Sequence, residues 1–156
     1  MASWAVRAVR DDEYDAWARL FAGYEEFYGR EPTTASLGRA WAVITAVDSP
    51  VAALVAVPVD ADGGREIGAP VGLAHLHEWP RPLKGVAWGY LDDLYVEPDF
   101  RGSGVVQVLF GAIDALARSR GWTVVRWTTA VDNHRAQAAY DRVATRTSWV
   151  IYDMDV

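Results

Sequence analysis

Two stretches of the 156-residue chain carry residue types whose spacing could do chemistry. The first is Leu91-Asp92-Asp93-Leu94-Tyr95-Val96-Glu97-Pro98-Asp99-Phe100-Arg101-Gly102-Ser103-Gly104-Val105-Val106, which reads as a strand, a short turn and the start of a helix. Gly102 and Gly104 let backbone N–H groups approach a ligand closely. The helix start adds unpaired donors and partial positive charge, and Arg101 adds a full charge, a combination that suits a diphosphate. A tight turn before a helix would use the same glycines. The chain has neither the longer Gly-Lys-Ser/Thr phosphate loop nor a G-x-G-x-x-G pattern. The second stretch, Asn133-His134-Arg135-Ala136-Gln137-Ala138-Ala139-Tyr140, ends on a phenol. A phenol with an ordinary pKa of about 10 stays protonated at neutral pH and can donate that proton. Ala136, Ala139, Tyr140 and Val143 also form an apolar helical stripe, so a core aromatic is the competing reading.

Asp92 and Asp93 are neighbouring carboxylates able to take up a proton. Adjacent residues on a strand face opposite sides, so only one of them is expected to point at a site. An aspartate near a strand end also caps turns. His75 and His77 share one strand face, but no third ligand stands at a recognisable spacing. They read as ordinary polar strand positions, and no metal site is expected.

Hydrophobic periodicity supplies the elements that must position these residues. Residues 4–9 alternate as a short strand. Asp11-Asp12-Glu13 offers an N-cap and first-turn acids for a helix in which Trp17, Leu20, Phe21, Tyr24, Phe27 and Tyr28 recur up to Gly29. A second helix starts near Thr34 and is ended by Ser49-Pro50. Residues 51–59 and 70–77, joined through a turn at 60–64, read as a hairpin. Residues 78–87, with Pro80, Pro82 and Gly85, read as a loop, and 88–96 as a strand stopped by Pro98. A third helix covers 104–120 and is closed by Gly121. A strand at 124–128, a short helix at 133–143 and a last strand at 149–154 complete the order βααβββαβαβ. That order implies an α/β (α+β mixed) fold, a mixed sheet flanked by helices, in one domain over residues 1–156.

Composition excludes several classes. The chain is 51% hydrophobic with eight Trp and has no run of about eighteen apolar residues, so no membrane span is expected. It has no cysteine, which removes disulfides, thiolate catalysis and Cys-ligated metals. Met1-Ala2-Ser3-Trp4 lacks a secretory start, and an intracellular, cytoplasmic protein is expected. The net charge of −6 argues against a nucleic-acid binder. It is also unevenly spread: residues 11–31 hold seven acids and two Arg, net −5, whereas 101–146 hold seven Arg and three Asp, net +4. One region repels anions and the other attracts them. Five of the tryptophans, at 79, 88, 122, 127 and 149, fall near element ends and read mostly as core or rim packing.

The two stretches together resemble the GNAT superfamily of acetyl-CoA-dependent N-acetyltransferases. The family's pyrophosphate loop, Arg/Gln-x-x-Gly-x-Gly/Ala, is matched by Arg101, Gly104 and Val106. Its second block, N-x-x-A/S-x-x-x-Y, is matched by Asn133, Ala136 and Tyr140. The resemblance implies the GNAT fold: a central mixed, mostly antiparallel sheet splayed at the fourth strand and flanked by about four helices. It implies acetyl-CoA as cofactor, with the backbone of Leu94, Tyr95 and Val96 taking the pantetheine arm. Arg101, Gly102, Ser103, Gly104, Val105 and Val106 would take the pyrophosphate, aided by Asn133, Ala136 and Tyr140. Tyr140 is the implied general acid. Val106 departs from the pattern, and a β-branched side chain there either leans away from the ligand or weakens its binding.

Leu91-Asp92-Asp93-Leu94-Tyr95-Val96 is similar to the strand of members that acetylate polyamines and related small amines, and residues 140–147 resemble the histone/polyamine acetyltransferase-like branch. That likeness implies Asp92 as base, through water, and Asp93 as a supporting or substrate-binding residue. Glu25 and Glu26, near Tyr24 and Tyr28, stand where the family places acceptor-binding residues; a solvated helix end is the plainer reading. The expected activity is direct acetyl transfer to a primary amine of a small cationic or amino-acid-like acceptor, polyamine or diamine first. A protein lysine or N-terminus is the alternative acceptor, and a non-catalytic acyl-CoA sensor the alternative class. Dimers are common in the resembled family, and a homodimer is expected.

Overall fold

The computed structural model describes residues 3–156; Met1 and Ala2, part of the chain start read above, lie outside the described residues. Five strands, β1 (Ser3–Ala8), β2 (Val51–Val59), β3 (Gly72–Arg81), β4 (Val86–Val96) and β5 (Val125–Arg126), form one sheet in sequence order. Helices α1 (Tyr14–Phe27) and α2 (Thr34–Ile44) follow β1, α3 (Val105–Ser119) joins β4 to β5, and α4 (His134–Tyr140) follows β5. The first four strands pair antiparallel. β5 is parallel to β4, as its helical crossover demands. The mixed, mostly antiparallel sheet expected from the sequence is therefore present.

Each face of the sheet packs its own core. On one face, α3 lays Val105, Leu109, Ile113 and Ala117 against Ala74, Leu76, Leu91 and Val96. The spacing of four keeps these side chains on one stripe, and full burial of a residue such as Leu109 contributes about 1.5–3 kcal/mol. On the other face, Trp17 and Leu20 of α1 pack on Val55, Val57, Leu73 and Tyr95. Helix α2 is started by a capping box in which Thr33 Oγ1 accepts from the Ser36 N–H at 3.0 Å.

Several local expectations are corrected. The acids before α1 do not cap it. Glu13 has no side-chain cap bond because its carboxylate is held by Arg7 at 2.6 and 2.7 Å and by the Arg10 N–H at 2.9 Å. The segment expected as a loop at 78–87 instead lengthens β3 and β4 around a 3-10 turn at Pro82–Lys84, closed by Gly85 at φ 64°. β2 ends opposite His77, so β3 is an edge at Pro80, where a strand tolerates proline. Trp79 and Trp88 face each other there beneath the Arg81 guanidinium, 4.4 and 4.6 Å from the two rings.

The strand expected at 124–128 shortens to Val125–Arg126, and the one expected at 149–154 is absent. Trp149, Val150, Ile151, Tyr152 and Met154 alternate as a strand would but are exposed. A strand needs a neighbouring edge for its backbone bonds, and this segment pairs with none in its own sheet.

β4 and β5 meet only at Gly89↔Val125 and Tyr90↔Arg126. From Leu91 onward β4 has no strand neighbour on that side among the described residues, which is the expected splay.

Candidate active site

The site is organised by one irregularity in β4. His75 lies opposite Asp93 and Leu76 opposite Leu91, so Asp92 is the extra residue of a β-bulge. An inserted residue resets the in-and-out alternation of a strand. Leu91 and Leu94 therefore both join the α3 core, while Asp92 and Asp93 both face the α1 side, where they line one cavity. The expectation that only one of the two could point at the site is corrected by that bulge.

Both histidines dismissed as ordinary strand positions are partners of these acids. His75 Nδ1 lies 2.8 Å from Asp93 Oδ2, and His77 Nδ1 lies 2.6 Å from Asp92 Oδ2. Trp17, fully buried, donates its Nε1–H to His75 Nε2 at 2.9 Å. Indole nitrogen only donates, so Nε2 of His75 carries the lone pair and Nδ1–H donates to Asp93.

The cavity has a volume of about 390 Å³. Its walls are Tyr24, Glu25, Tyr28 and Arg30 from α1 and the turn after it, the two aspartates from β4, and residues 128–130 after β5. Glu25 Oε2 is buried without a hydrogen-bond partner among the described residues, an arrangement that costs free energy unless another group completes it. Glu26, its neighbour, is exposed and outside the lining. Burial, with Asp93 and Tyr28 alongside, pushes the Tyr24 phenol above its ordinary range. Its hydroxyl donates to the Asp92 carbonyl at 3.5 Å.

Beyond the bulge, the unpaired side of β4 at Leu94, Tyr95 and Val96 leads into the glycine loop. Gly102 and Gly104 have φ of 85° and 98°, left-handed conformations that favour glycine. Gly104 is the N-cap of α3 and no side chain among the described residues caps that helix, so its first N–H groups are free to bond outside the helix. Ser103 is tied down: its carbonyl accepts from Trp4 Nε1 at 2.9 Å and its hydroxyl donates to the Phe100 carbonyl. Arg101 Nε donates to the Val96 carbonyl at 2.9 Å, which engages one backbone acceptor of the strand. Its guanidinium stands beside the Tyr95 and Phe27 rings. Val105 is buried and Val106 packs against the same core, so the β-branched residue leans away from the loop. An open strand edge, two left-handed glycines and an uncapped helix start fit a pantetheine arm and a diphosphate.

Asn133 caps α4, its Oδ1 accepting from the Ala136 N–H at 3.3 Å. Tyr140 ends that helix and wedges between Phe110 and Trp127, with ring centroids 5.9 and 5.4 Å away. Burial, helped by Tyr28, pushes its phenol up to about 12. Tyr140 does not itself line the cavity; Tyr28 does.

The sequence model of the Acetyltransferase (GNAT) family matches residues 8–144. The chain belongs to the GNAT family. It is thereby an N-acetyltransferase, and the family generally uses acetyl-CoA. Among GNAT relatives, the chain is 31% identical over 151 residues to the D-amino-acid N-acetyltransferase HPA3 of Saccharomyces cerevisiae, covering 94% of this chain and 88% of that protein. It is 29% identical over 101 residues to aminoglycoside N(6')-acetyltransferase type 1 of Stenotrophomonas maltophilia, covering 60% and 66%. Among solved structures, a ribosomal-protein-alanine N-acetyltransferase from Brucella melitensis biovar Abortus 2308 superposes with a TM-score of 0.78 over 99% of both chains at 22% identity. A possible acetyltransferase from Clostridium difficile 630 gives 0.81 over 98% and 97% at 16% identity. At these identities the two structures speak for the GNAT fold alone.

Some residues of this GNAT site were missed in the sequence. Arg30 follows Gly29, where the helix was expected to have ended, and Thr129 and Ala130 lie beyond the strand expected to end at Thr128, so none of the three carried a periodic signal. The histidine partners carried one: His75 and His77 at i and i+2 on a strand that pairs with the strand bearing Asp92 and Asp93.

Proposed function

We propose that this chain transfers the acetyl group of acetyl-CoA directly to a primary amine of a small cationic acceptor of the diamine or polyamine type. One observation carries the choice of acceptor: three carboxylates, Glu25, Asp92 and Asp93, line a single cavity against one guanidinium, and an oxygen of Glu25 is buried there unpaired. A cationic chain would complete that oxygen and lie across the aspartates. Asp92 supplies the base function through water, Asp93 orients the ammonium, and Tyr140 protonates the departing thiolate. The open side of Leu94–Val96 and the loop from Arg101 to Val106 would hold the cofactor, whose thioester supplies the acetyl group. With no cysteine to carry an acetyl group, transfer passes through a ternary complex.

Arg30 in the same lining favours a second acceptor, an amino acid whose carboxylate would meet the guanidinium while its ammonium meets the aspartates. The named activity of the yeast relative agrees with it. A cytoplasmic location and a homodimer belong to the same proposal. For the dimer, the support is the exposed apolar segment from Trp149 to Met154, which a second copy would cover.

The deciding experiment follows free thiol release from acetyl-CoA with diamines, polyamines, D- and L-amino acids and basic peptides. Turnover is expected to be highest with a diamine or polyamine; highest turnover with an amino acid selects the second reading, and turnover confined to peptides overturns both. Acetyl-CoA alone is expected to raise the melting temperature, and no shift at saturation would remove cofactor binding from the proposal.

A further inference from the structure

We propose that the base of the reaction is the Asp92–His77 pair, with the proton coming to rest on Nε2 of His77, and that the matching Asp93–His75 pair is closed to proton transfer. The proposal rests on the amine-acetylation reading above and names the atom that performs its base step.

The two pairs are built alike. His75 and His77 stand two apart on β3, and the bulge in β4 presents Asp93 to one and Asp92 to the other, each through Nδ1. A 2.6 Å contact between an imidazole nitrogen and a carboxylate oxygen cannot join two lone pairs, so a proton lies between them. That places the hydrogen of neutral His77 on Nδ1 and the lone pair on Nε2, the arrangement by which a carboxylate readies a histidine as a base.

The pairs differ at their far ends. Nε2 of His75 is spent on the Trp17 indole, and the side chain is only 4% exposed. A proton arriving there would have to displace a buried hydrogen bond and place a charge in a dry core. Nε2 of His77 makes no hydrogen bond among the described residues, and the side chain is 35% exposed. Same chemistry and same sheet face leave one histidine locked and the other free.

His77 stands just behind the cavity lining, joined to it through two of the lining residues. On one side it holds Asp92, a lining residue. On the other its ring lies 5.5 Å from that of Tyr90, whose hydroxyl shares a 3.4 Å hydrogen bond with Thr128, a second lining residue. Among the described residues, the titratable groups in contact with it are Asp92 and Tyr90 from β4; Arg126 of β5 stands beside Tyr90 in register, and β2 brings Val51 opposite it.

Proton affinity favours the imidazole as the resting place. A carboxylic acid ordinarily ionises near 4 and an imidazolium near 6.5, against about 10 for an alkylammonium. Moving the proton from the substrate to an imidazole is therefore about two to three pH units less uphill than to a lone carboxylate. The ammonium passes one proton through a cavity water to Nε2 of His77, giving an imidazolium held by the Asp92 carboxylate, which later returns the proton to solvent. The free amine nitrogen bonds to the thioester carbon as the carbon–sulfur bond breaks. The second nitrogen-bound proton is released, and the thiolate is protonated by Tyr140, which is reprotonated in turn.

The test compares wild type with His77→Gln and His75→Gln in steady-state kinetics across pH, with the best acceptor of the panel, alongside 15N NMR of the histidine ring nitrogens. His77→Gln is expected to lower kcat about 100-fold at neutral pH, with both KM values within about two-fold, and to abolish the imidazole-like rise of rate with pH. The wild-type spectra are expected to show neutral His77 carrying its proton on Nδ1 and its lone pair on Nε2. His77→Gln with wild-type kcat and pH profile, or neutral His77 protonated on Nε2, overturns the base assignment while leaving amine acetylation intact. A wild type that acetylates no amine overturns both. His75→Gln separates structural from chemical roles, because it is expected to lower the melting temperature while keeping the rise of rate with pH.

Discussion

Trp17 donates its indole N–H to Nε2 of His75 at 2.9 Å, and that single bond decides which nitrogen of the imidazole faces Asp93 with a proton. Both rings lie in the core between α1 and the sheet. Trp17→Phe leaves Nε2 buried without a donor, and the orphaned acceptor alone is expected to cost about 1–3 kcal/mol. Urea denaturation followed by circular dichroism measures it; an unchanged midpoint would show that the bond contributes nothing.

Glu25 and Glu26 are neighbours in sequence but not in function. Glu25 lines the cavity with a buried, unpaired oxygen, and Glu26 is exposed outside it. Glu25→Lys is expected to raise KM for a diamine at least ten-fold with little change in KM for acetyl-CoA. Glu26→Lys is expected to change neither by more than about two-fold. Equal effects of the two substitutions would return the acidic stretch at 11–31 to a solvated face.

Tyr140→Phe keeps the ring between Phe110 and Trp127 and removes only the hydroxyl. Turnover is expected to fall about 100-fold or more while the melting-temperature rise produced by acetyl-CoA persists. Unchanged turnover removes Tyr140 as the acid.

Two buried phenols are expected to weaken the fold at high pH. Burial raises Tyr140 to about 12 and also raises Tyr24. In the unfolded chain both ionise near 10. Above that pH the unfolded state binds fewer protons than the folded one, so their contribution to stability is fully present below pH 10. It is lost as pH rises from 10 through about 12 for Tyr140, and over a range extending upward for Tyr24. Absorbance titration at 295 nm is expected to show two of the seven tyrosines ionising late. Stability against urea is expected to decline over that window.

Gly89 sits against Trp122, and a Cβ there would lie 2.3 Å from the indole ring. Trp122 is itself fixed by a 2.9 Å bond from its Nε1 to Glu78. Gly89→Ala is expected to destabilise the fold by about 1–3 kcal/mol, read as a lowered thermal midpoint; an unshifted midpoint would mean that Trp122 moves freely.

The legible part of this protein was local. The Val105, Leu109, Ile113 and Ala117 stripe is written at a spacing of four, the Gly102 and Gly104 turn needs residues that tolerate positive φ, and Asn133 stands three before the N–H it caps. Each is decided by residues within a turn or two of each other, so a sequence states it directly. The failures were also local in appearance: 149–154 alternates as a strand does, and only the missing neighbour shows that it is not one.

Which residues make the site depends on pairing between strands, and pairing is not a local property. Asp92 and Asp93 read as a pair split across two faces because a regular strand alternates. One extra residue in β4, opposite the step from His75 to Leu76, turns both to the same face and brings each to a histidine 15 or 18 positions away. Trp17, 58 positions from His75, then locks one of those histidines and leaves the other open. The sequence by itself determined most of the elements, the family motifs and the residue types available for proton transfer. Only the tertiary structure decided which of them meet, because register is settled by the packing of both sheet faces at once and no single segment contains that information.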